Sequence, residues 1–74
     1  MRFEYSNHVK LRINQRGLVP SQIEKAIYRP EKVIAGFKDR IVVNKMYGTK
    51  ILEVVYKRES AVIVIITAYW LGEA

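Results

Sequence analysis

One histidine and two arginines occur at intervals of four residues near the beginning of the chain, in the segment S-N-H-V-K-L-R-I-N-Q-R-G. Positions four apart in an α-helix advance by about 40°, so His8, Arg12 and Arg16 form one slanting stripe if this segment is helical. An imidazole transfers protons near neutral pH, and a guanidinium binds phosphate through paired hydrogen bonds. The stripe is therefore a candidate surface for binding a nucleic acid or for catalysis on it.

The residues around this stripe predict the helix that positions it. Ser6 suits the N-cap, and Gly17 suits the left-handed residue that ends a helix. Val9 and Ile13 form an apolar stripe directly beside the basic one. Packing of that apolar stripe against a core would hold the basic row in place, unlike a charge that moves freely in water.

A structural explanation of the same three side chains stays open. Cations in the second half of a helix complement its dipole, and Arg12 and Arg16 can instead bond Glu4 or carbonyl groups at a sheet edge. A lone histidine near a helix start, such as His8, often serves as a cap or as a hydrogen-bonded packing residue.

The rest of the chain predicts a second helix followed by a sheet. The helix runs from about Pro20 or Ser21 to Arg29, because Ser21 and Glu24 have the capping-box spacing and Pro30 ends it. Period-two alternation of apolar residues predicts strands, over Arg2–Tyr5, weakly over Lys32–Ala35, and over Arg40–Tyr47, Ile51–Lys57 and Ala61–Trp70. Short loops join the last three of these strands, which is typical of an antiparallel meander.

We therefore expect a single domain over residues 1–74, of the α+β class. Its two short N-terminal helices pack on one face of a twisted antiparallel sheet of three to five strands.

The last predicted strand is apolar on both of its sides. Simple alternation turns Val62, Val64, Ile66, Ala68 and Trp70 to one face, and Ala61, Ile63, Ile65, Thr67 and Tyr69 to the other. Such a strand is normally covered on both faces, and two short helices cover only one. Either the sheet curls around its own side chains, or a second chain covers it as a homodimer or a bound protein partner.

Composition limits the classes of function. The chain has no cysteine and a single histidine, which excludes disulfide frameworks and Cys- or His-rich metal sites. Its longest apolar run, Ala61 to Leu71, is far shorter than the roughly 20 residues that span a bilayer, and charged residues interrupt the N-terminal segment where a signal peptide is apolar. We expect a cytoplasmic protein that uses no metal or other cofactor and does not associate with a membrane.

The charge of the chain points to an anionic partner. Thirteen Lys and Arg residues against seven Asp and Glu residues give a formal net charge of +6 at pH 7. This field accelerates encounters with polyanions, which favours a nucleic acid or an acidic protein. In many small domains the same charge serves solubility alone.

The segment H-x-x-x-R-x-x-x-R-G is followed by a polar helix that ends in proline, and then by strands with V-V-Y and I-T-x-Y-W. The residues concerned are His8, Arg12, Arg16, Gly17, Pro30, Leu52, Val54, Val55, Tyr56, Ile66, Thr67 and Tyr69. Their order, from Tyr5 to Trp70, resembles the domain of unknown function 4258 family, which is usually placed in the broad RelE/ParE-like toxin superfamily. The resemblance implies helices packed on one face of a twisted antiparallel sheet. It also implies a toxin-like, metal-independent endoribonuclease that acts on RNA, often on the ribosome, and pairs with an antitoxin protein. The alternative is a non-catalytic basic module that binds RNA or a protein partner.

The residues themselves suggest roles if the protein cleaves RNA. Metal-free cleavage needs a base, cations that neutralise the phosphorane, and an acid for the leaving oxygen. His8 suits proton transfer, Arg12 and Arg16 suit the phosphate, and Tyr69 can stack a base or donate a proton. The expected nucleic-acid-binding residues are Arg40, Lys45, Lys50 and Tyr56. Tyrosines at the rim of a core explain Tyr56 and Tyr69 equally well.

Overall fold

The computed structural model of the protein describes residues 2–72. Two helices and five strands follow one another along the chain. They are β1 (Arg2–Tyr5), α1 (Asn7–Arg16), α2 (Pro20–Tyr28), β2 (Lys32–Ala35), β3 (Arg40–Tyr47), β4 (Lys50–Glu59) and β5 (Val62–Leu71). Neither helix among these residues is long and apolar enough to cross a bilayer.

The five strands form one sheet in the order β1-β5-β4-β3-β2. Strands β2 to β5 are an antiparallel meander, whereas β1 pairs in parallel with β5, from Arg2 opposite Val62 to Tyr5 opposite Ile65. The α+β class with two helices is confirmed. The prediction of a wholly antiparallel sheet is wrong. Strand β5 comes to lie beside β1 only after two helices and three further strands, and it then runs in the same direction as β1.

Local capping signals set the ends of α1. The Ser6 hydroxyl accepts a hydrogen bond from the Val9 N–H, and Gly17 ends the helix with a φ of 64°. A positive φ of this size favours glycine over residues with a side chain. Both predicted ends of the first helix are therefore confirmed.

The start of α2 differs from the prediction. Its N-cap is Val19, which makes no side-chain capping bond, and Pro20 occupies the first helical turn. Ser21 thus lies inside the helix, and the Glu24 carboxylate accepts a hydrogen bond from the Tyr5 hydroxyl of β1. The predicted capping box is wrong, because a tertiary contact takes the carboxylate that a capping box would use.

The core lies on one face of the sheet, which we call the buried face. Alternate residues of β4, Leu52, Val54 and Tyr56, are buried there. They belong to one cluster with side chains from the helices and the loop between them, namely Val9, Leu18, Ile23 and Ala26. We call the opposite side of the sheet its outer face.

A β-bulge interrupts the alternation of β5. Tyr56 pairs with Ile65 and Val55 pairs with Thr67, so Ile66 is an extra residue with no partner in β4. The buried residues change from Ile63 and Ile65 before the bulge to Ala68 after it. The predicted division of β5 into two unbroken faces is therefore wrong. Because nearly every residue of this strand is apolar, its sequence carries no polar pattern that would reveal the shift.

The outer face of β5 begins with Val62 and Val64, both of which are half-buried within the chain itself. Whether a second chain covers this face stays a prediction.

Candidate functional site

A pocket of about 240 Å³ lies between α1 and the second half of β5. Arg12 and Arg16 line it from the helix, and Thr67, Tyr69 and Trp70 line it from the strand. Strand β1 pairs only with the first half of β5, as far as Ile65. The chain then turns into α1, so the helix rather than another strand lies beside the rest of β5.

Ser6 fixes the position of α1 relative to the bulge. Its hydroxyl donates to the Ile66 carbonyl at 2.8 Å, and its backbone N–H donates to the Ile65 carbonyl at 3.1 Å. The same hydroxyl accepts from Val9 N–H at 3.2 Å and caps the helix. One side chain therefore joins the helix start to the strand at the point where the pocket begins.

The bulge determines which side chains of β5 reach the pocket. Thr67 is paired with Val55 and Tyr69 with Glu53, which places both on the outer face. Trp70 is paired with the buried Leu52 and packs against the core. The pocket therefore extends around the edge of β5 and has wall residues from both faces of the sheet.

Arg12 and Arg16 have no carboxylate partner within residues 2–72. The ion pairs in this part of the chain are Arg2–Glu4 at 3.6 Å, Lys45–Glu31 at 3.2 Å and Lys57–Glu59 at 3.2 Å. The structural explanation that had these arginines bond Glu4 does not apply, because Glu4 pairs with Arg2. No carboxylate in this part of the chain therefore competes with an anionic ligand for the two guanidinium groups.

Tyr69 is held by the carboxylate opposite it in the sheet. Its hydroxyl donates to Glu53, and this hydrogen bond, together with partial burial and the negative charge of Glu53, raises the pKa of Tyr69 to about 12. With its amide NH2 turned toward β4, Asn44 donates to the other Glu53 oxygen at 2.9 Å. The phenol therefore keeps its proton at neutral pH and presents the pocket with a fixed aromatic ring.

Trp70 is fixed by aromatic and cationic neighbours. Its ring contacts Tyr47 edge to face, with centroids 6.1 Å apart and planes at 83°, and the Tyr47 hydroxyl donates to the Gln22 carbonyl of α2 at 2.8 Å. The ammonium group of Lys50 lies 5.7 Å from the centroid of the Trp70 ring. Lys50 thus adds a third cation next to a wall of the pocket.

The structure brings together Arg12, Arg16 and Tyr69 of the predicted catalytic set. His8 is exposed on α1, one helical turn before Arg12, and does not line the pocket. We expect a ligand that extends from Arg12 along the helix to come within reach of the imidazole, because side chains four apart on a helix are neighbours.

Three of the four predicted nucleic-acid-binding residues lie apart from the pocket. Lys45 donates to the Arg29 carbonyl at 2.9 Å and to Glu31 at 3.2 Å. Tyr56 is in the core, with 8% of its surface exposed, and Arg40 is exposed at the start of β3. The fourth, Lys50, does not line the pocket itself but contacts the ring of Trp70, which does.

Sequence reasoning missed Thr67 and Trp70 as pocket residues. Thr67 and Tyr69 carry the only hydroxyl groups in an otherwise apolar strand, and this feature could have added Thr67 to the predicted site. The position of Trp70 beside α1 depends on the bulge and on the β1–β5 pairing, and neither leaves a mark in the sequence.

The fold and the pocket define a small α+β domain with a cationic, aromatic-walled cleft at the edge of a mixed sheet. Residues 5–70 match the family model of the Domain of unknown function (DUF4258), and the chain belongs to that family. The comparisons found no match among curated proteins and none among solved structures. No three His, Asp or Glu side chains within residues 2–72 are grouped so that they could hold a metal ion.

Proposed function

We propose that the protein binds single-stranded RNA in the pocket between α1 and β5. The observation that carries this proposal is that Arg12 and Arg16, which have no carboxylate partner among residues 2–72, share one pocket with Tyr69 and Trp70. Guanidinium groups bind phosphate through paired hydrogen bonds, and aromatic rings stack on exposed bases. The Thr67 hydroxyl adds a group that can hydrogen-bond a ribose 2′-hydroxyl.

The shape of the pocket favours a single strand over a duplex. Five side chains from residues 2–72 line this open pocket of about 240 Å³, a space that suits one base or one phosphate at a time. In a duplex the bases are stacked inside and cannot enter such a space, whereas an unpaired nucleotide can present its base and phosphate separately. The net charge of +6 further accelerates encounter with the strand.

We further propose that the protein is a member of the RelE/ParE-like superfamily and acts as the toxin of a toxin–antitoxin pair. A small basic α+β domain with helices beside a largely antiparallel sheet agrees with this proposal. The family match carries no function, so the proposal depends on the pocket and on the order of residues along α1.

Metal-independent RNA cleavage is the second candidate, and the position of His8 favours it. The imidazole is exposed on the same helical stripe as the two arginines. In this reaction His8 takes the 2′-hydroxyl proton, the 2′-oxygen attacks phosphorus, and the bond to the 5′-oxygen breaks as that oxygen takes a proton from water. The hydroxide that remains takes the proton from the His8 imidazolium, which restores water and the neutral base. Arg12 and Arg16 neutralise the charge of the transition state. Tyr69 keeps its proton and takes part only by lining the pocket with its ring.

Fluorescence anisotropy with a labelled single-stranded RNA oligonucleotide tests the binding proposal. Arg12→Gln and Arg16→Gln should each weaken binding and reduce the slope of log affinity against log salt by about 0.7, as expected for one lost phosphate contact to a single strand. Arg58→Gln is the matched control, because it removes the same charge from an exposed position at the far end of β4. Equal effects of all three substitutions would show that RNA binding depends only on the net charge of the protein, and would overturn the proposal.

Incubation of labelled RNA with the protein in the presence of a chelator tests cleavage. Wild-type protein should produce cut RNA, and His8→Gln should bind RNA with unchanged affinity but leave it intact. Expression in a bacterial host extends the test, since the toxin should arrest growth and Arg12→Ala should not. Intact RNA after incubation with wild type would leave only the binding function.

A further inference from the structure

Strand β2 forms the edge of the sheet farthest from β1, and among the strands that the structure describes only β3 pairs with it. All four of its residues, Lys32–Ala35, are exposed. In an antiparallel pair, the backbone N–H and C=O groups of alternate residues point toward the partner strand. The Gly36 N–H donates to the Arg40 carbonyl of β3 at 2.8 Å, so the groups of Ile34 and Lys32 also point toward β3. The N–H and C=O groups of Ala35 and Val33 therefore point away from β3, and an edge of this kind is a template for another strand.

Apolar side chains follow this edge. Val33 is 62% exposed, Ile34 is 40% exposed, and Phe37, in the turn that leads to β3, is 80% exposed. Val33 and Ile34 lie on opposite faces of the sheet, because successive residues of a strand alternate. A partner strand can therefore gain apolar contacts on both faces, with Phe37 as an anchor at one end.

The charge around the edge selects the partner. Residues 29–40 contain four cations and two carboxylates, and one of those carboxylates, Glu31, is engaged by Lys45 and by the Met46 N–H. These bonds lower the pKa of Glu31, with the Met46 bond as the largest cause. Two copies of the edge would bring like charges together, whereas an acidic strand would be attracted.

We propose that β2 and Phe37 dock an extended acidic segment of a partner protein, which adds to the sheet as a sixth strand. The Ala35 and Val33 backbone groups pair with the segment, and its carboxylates face Lys32, Lys38 and Arg40. Two strands lie between β2 and β5. At about 4.8 Å for each of the three strand spacings, the edge lies roughly 14 Å from the strand that lines the pocket. The proposal is independent of the proposed RNA-binding function.

Two fluorescein-labelled peptides test the proposal, one alternating Glu with Val and one alternating Lys with Val. Wild-type protein should bind the acidic peptide and not the basic one, and binding should slow hydrogen exchange at the Val33 and Ala35 amides. Ala35→Pro removes an outward N–H without touching the β2–β3 ladder and should weaken binding roughly tenfold. Phe37→Ser should also weaken binding, and Leu11→Ser is the matched control for the loss of an exposed apolar side chain.

A peptide with N-methyl groups on its edge-facing residues keeps the test valid if Ala35→Pro fails to fold. That peptide should not bind, whereas a peptide methylated on the alternate residues should. Failure of the acidic peptide to bind wild type at low salt would overturn the proposal. So would equal binding of both methylated peptides, exchange protection confined to another strand, or self-association of the protein through β2 in sedimentation.

Discussion

Tyr69 and Glu53 lie directly opposite each other on β5 and β4, and the tyrosine hydroxyl donates its hydrogen bond to the carboxylate. This contact lies on the outer face of the sheet, next to the pocket that Arg12 and Arg16 line. It stabilises the protonated phenol, because deprotonation would place two negative charges side by side. Proton transfer by Tyr69 is thereby disfavoured at neutral pH, and in the proposed RNA complex its ring would serve to contact a base.

The titration of Tyr69 is the first prediction. Subtracting the ultraviolet pH titration of Tyr69→Phe from that of wild type should give a curve with a midpoint near pH 12. In a Glu53→Gln background the midpoint should fall toward the ordinary value of 10.0, because the hydrogen bond to Glu53 is the largest cause of the shift. A wild-type difference curve centred at 10 would contradict the contact.

The same raised pKa of Tyr69 determines how the contribution of this residue to stability changes with pH. The folded state holds the Tyr69 proton more tightly than the unfolded state does, so this contribution is fully present below pH 10 and is lost as pH rises toward 12. Urea unfolding at increasing alkaline pH should show a steeper loss of stability in wild type than in Tyr69→Phe. Identical slopes would show that the contact does not form in solution.

Ser6 is the subject of the second prediction. Ser6→Ala removes both the cap on α1 and the hydrogen bond to the Ile66 carbonyl, and should lower the free energy of unfolding by about 1–2 kcal/mol. RNA affinity should also fall, although no cation is removed, because α1 and β5 form the two sides of the pocket.

Two further variants control this prediction. Ser6→Thr retains a hydroxyl that can both accept and donate, and should restore stability and affinity. Ser21→Ala removes the same atom from α2, where the N-cap is Val19 and no side-chain capping bond exists, and should change little. A loss of stability in Ser21→Ala equal to that of Ser6→Ala would show that the capping bond is not the cause.

The sequence predicted those parts of the fold that depend on neighbouring residues. Ser6 and Gly17 mark the ends of α1 because a cap and a left-handed residue act over one helical turn. The capping box at Ser21 failed because Glu24 bonds Tyr5, nineteen residues away. The parallel pairing of β1 with β5 was also missed, because a short strand's own residues do not record which distant strand it joins.

The pocket was predicted in part for the same reason. Helical spacing alone predicted that Arg12 and Arg16 lie together, and Tyr69 was predicted because a tyrosine side chain can stack on a base or donate a proton. Trp70 was missed because the Ile66 bulge changes which residues face the core, and a strand of apolar residues gives no sign of the change. The contact between Lys50 and Trp70 likewise requires the register of β4 on β5.

The third prediction compares two leucines. Leu52 is fully buried, whereas Leu11 is 55% exposed. Leu52→Ala should cost about 2–5 kcal/mol of unfolding free energy, because it removes apolar contacts and leaves a cavity. Leu11→Ala should stay within about 0.5 kcal/mol of wild type. Denaturant unfolding measures both, and a similar cost for the two would contradict the placement of the core on the Leu52 face.

The fourth prediction separates two lysines by their neighbours. Lys50→Gln removes a cation beside Trp70 and should weaken RNA binding and reduce its salt dependence. Lys45→Gln removes the same charge, but that lysine is already bonded to Glu31 and to the Arg29 carbonyl. The Lys45→Gln substitution should therefore affect RNA affinity less. A larger loss from Lys45→Gln than from Lys50→Gln would indicate that RNA binds nearer to β3 than we propose.

Deletion of Ile66 is the last prediction. Ile65 lies on the buried face before the bulge, and Ala68 lies there after it. Removal of the extra residue leaves Ile65, Thr67 and Ala68 in regular alternation, so all the remaining side chains of the strand keep their present faces. The variant should fold cooperatively with a continuous β4–β5 ladder. Its RNA affinity should fall, because the carbonyl that Ser6 bonds and the local twist at the pocket are both lost.

Deletion of Val64 provides the comparison. It removes one residue from the same strand but leaves the bulge, so Ile63 would shift from the buried face to the outer face or lose its pairing with β1 and β4. This variant should lose far more stability in thermal unfolding than the Ile66 deletion. If the two deletions are equally disruptive, or if deleting Ile66 leaves RNA affinity unchanged, then the bulge does not set the geometry of the pocket.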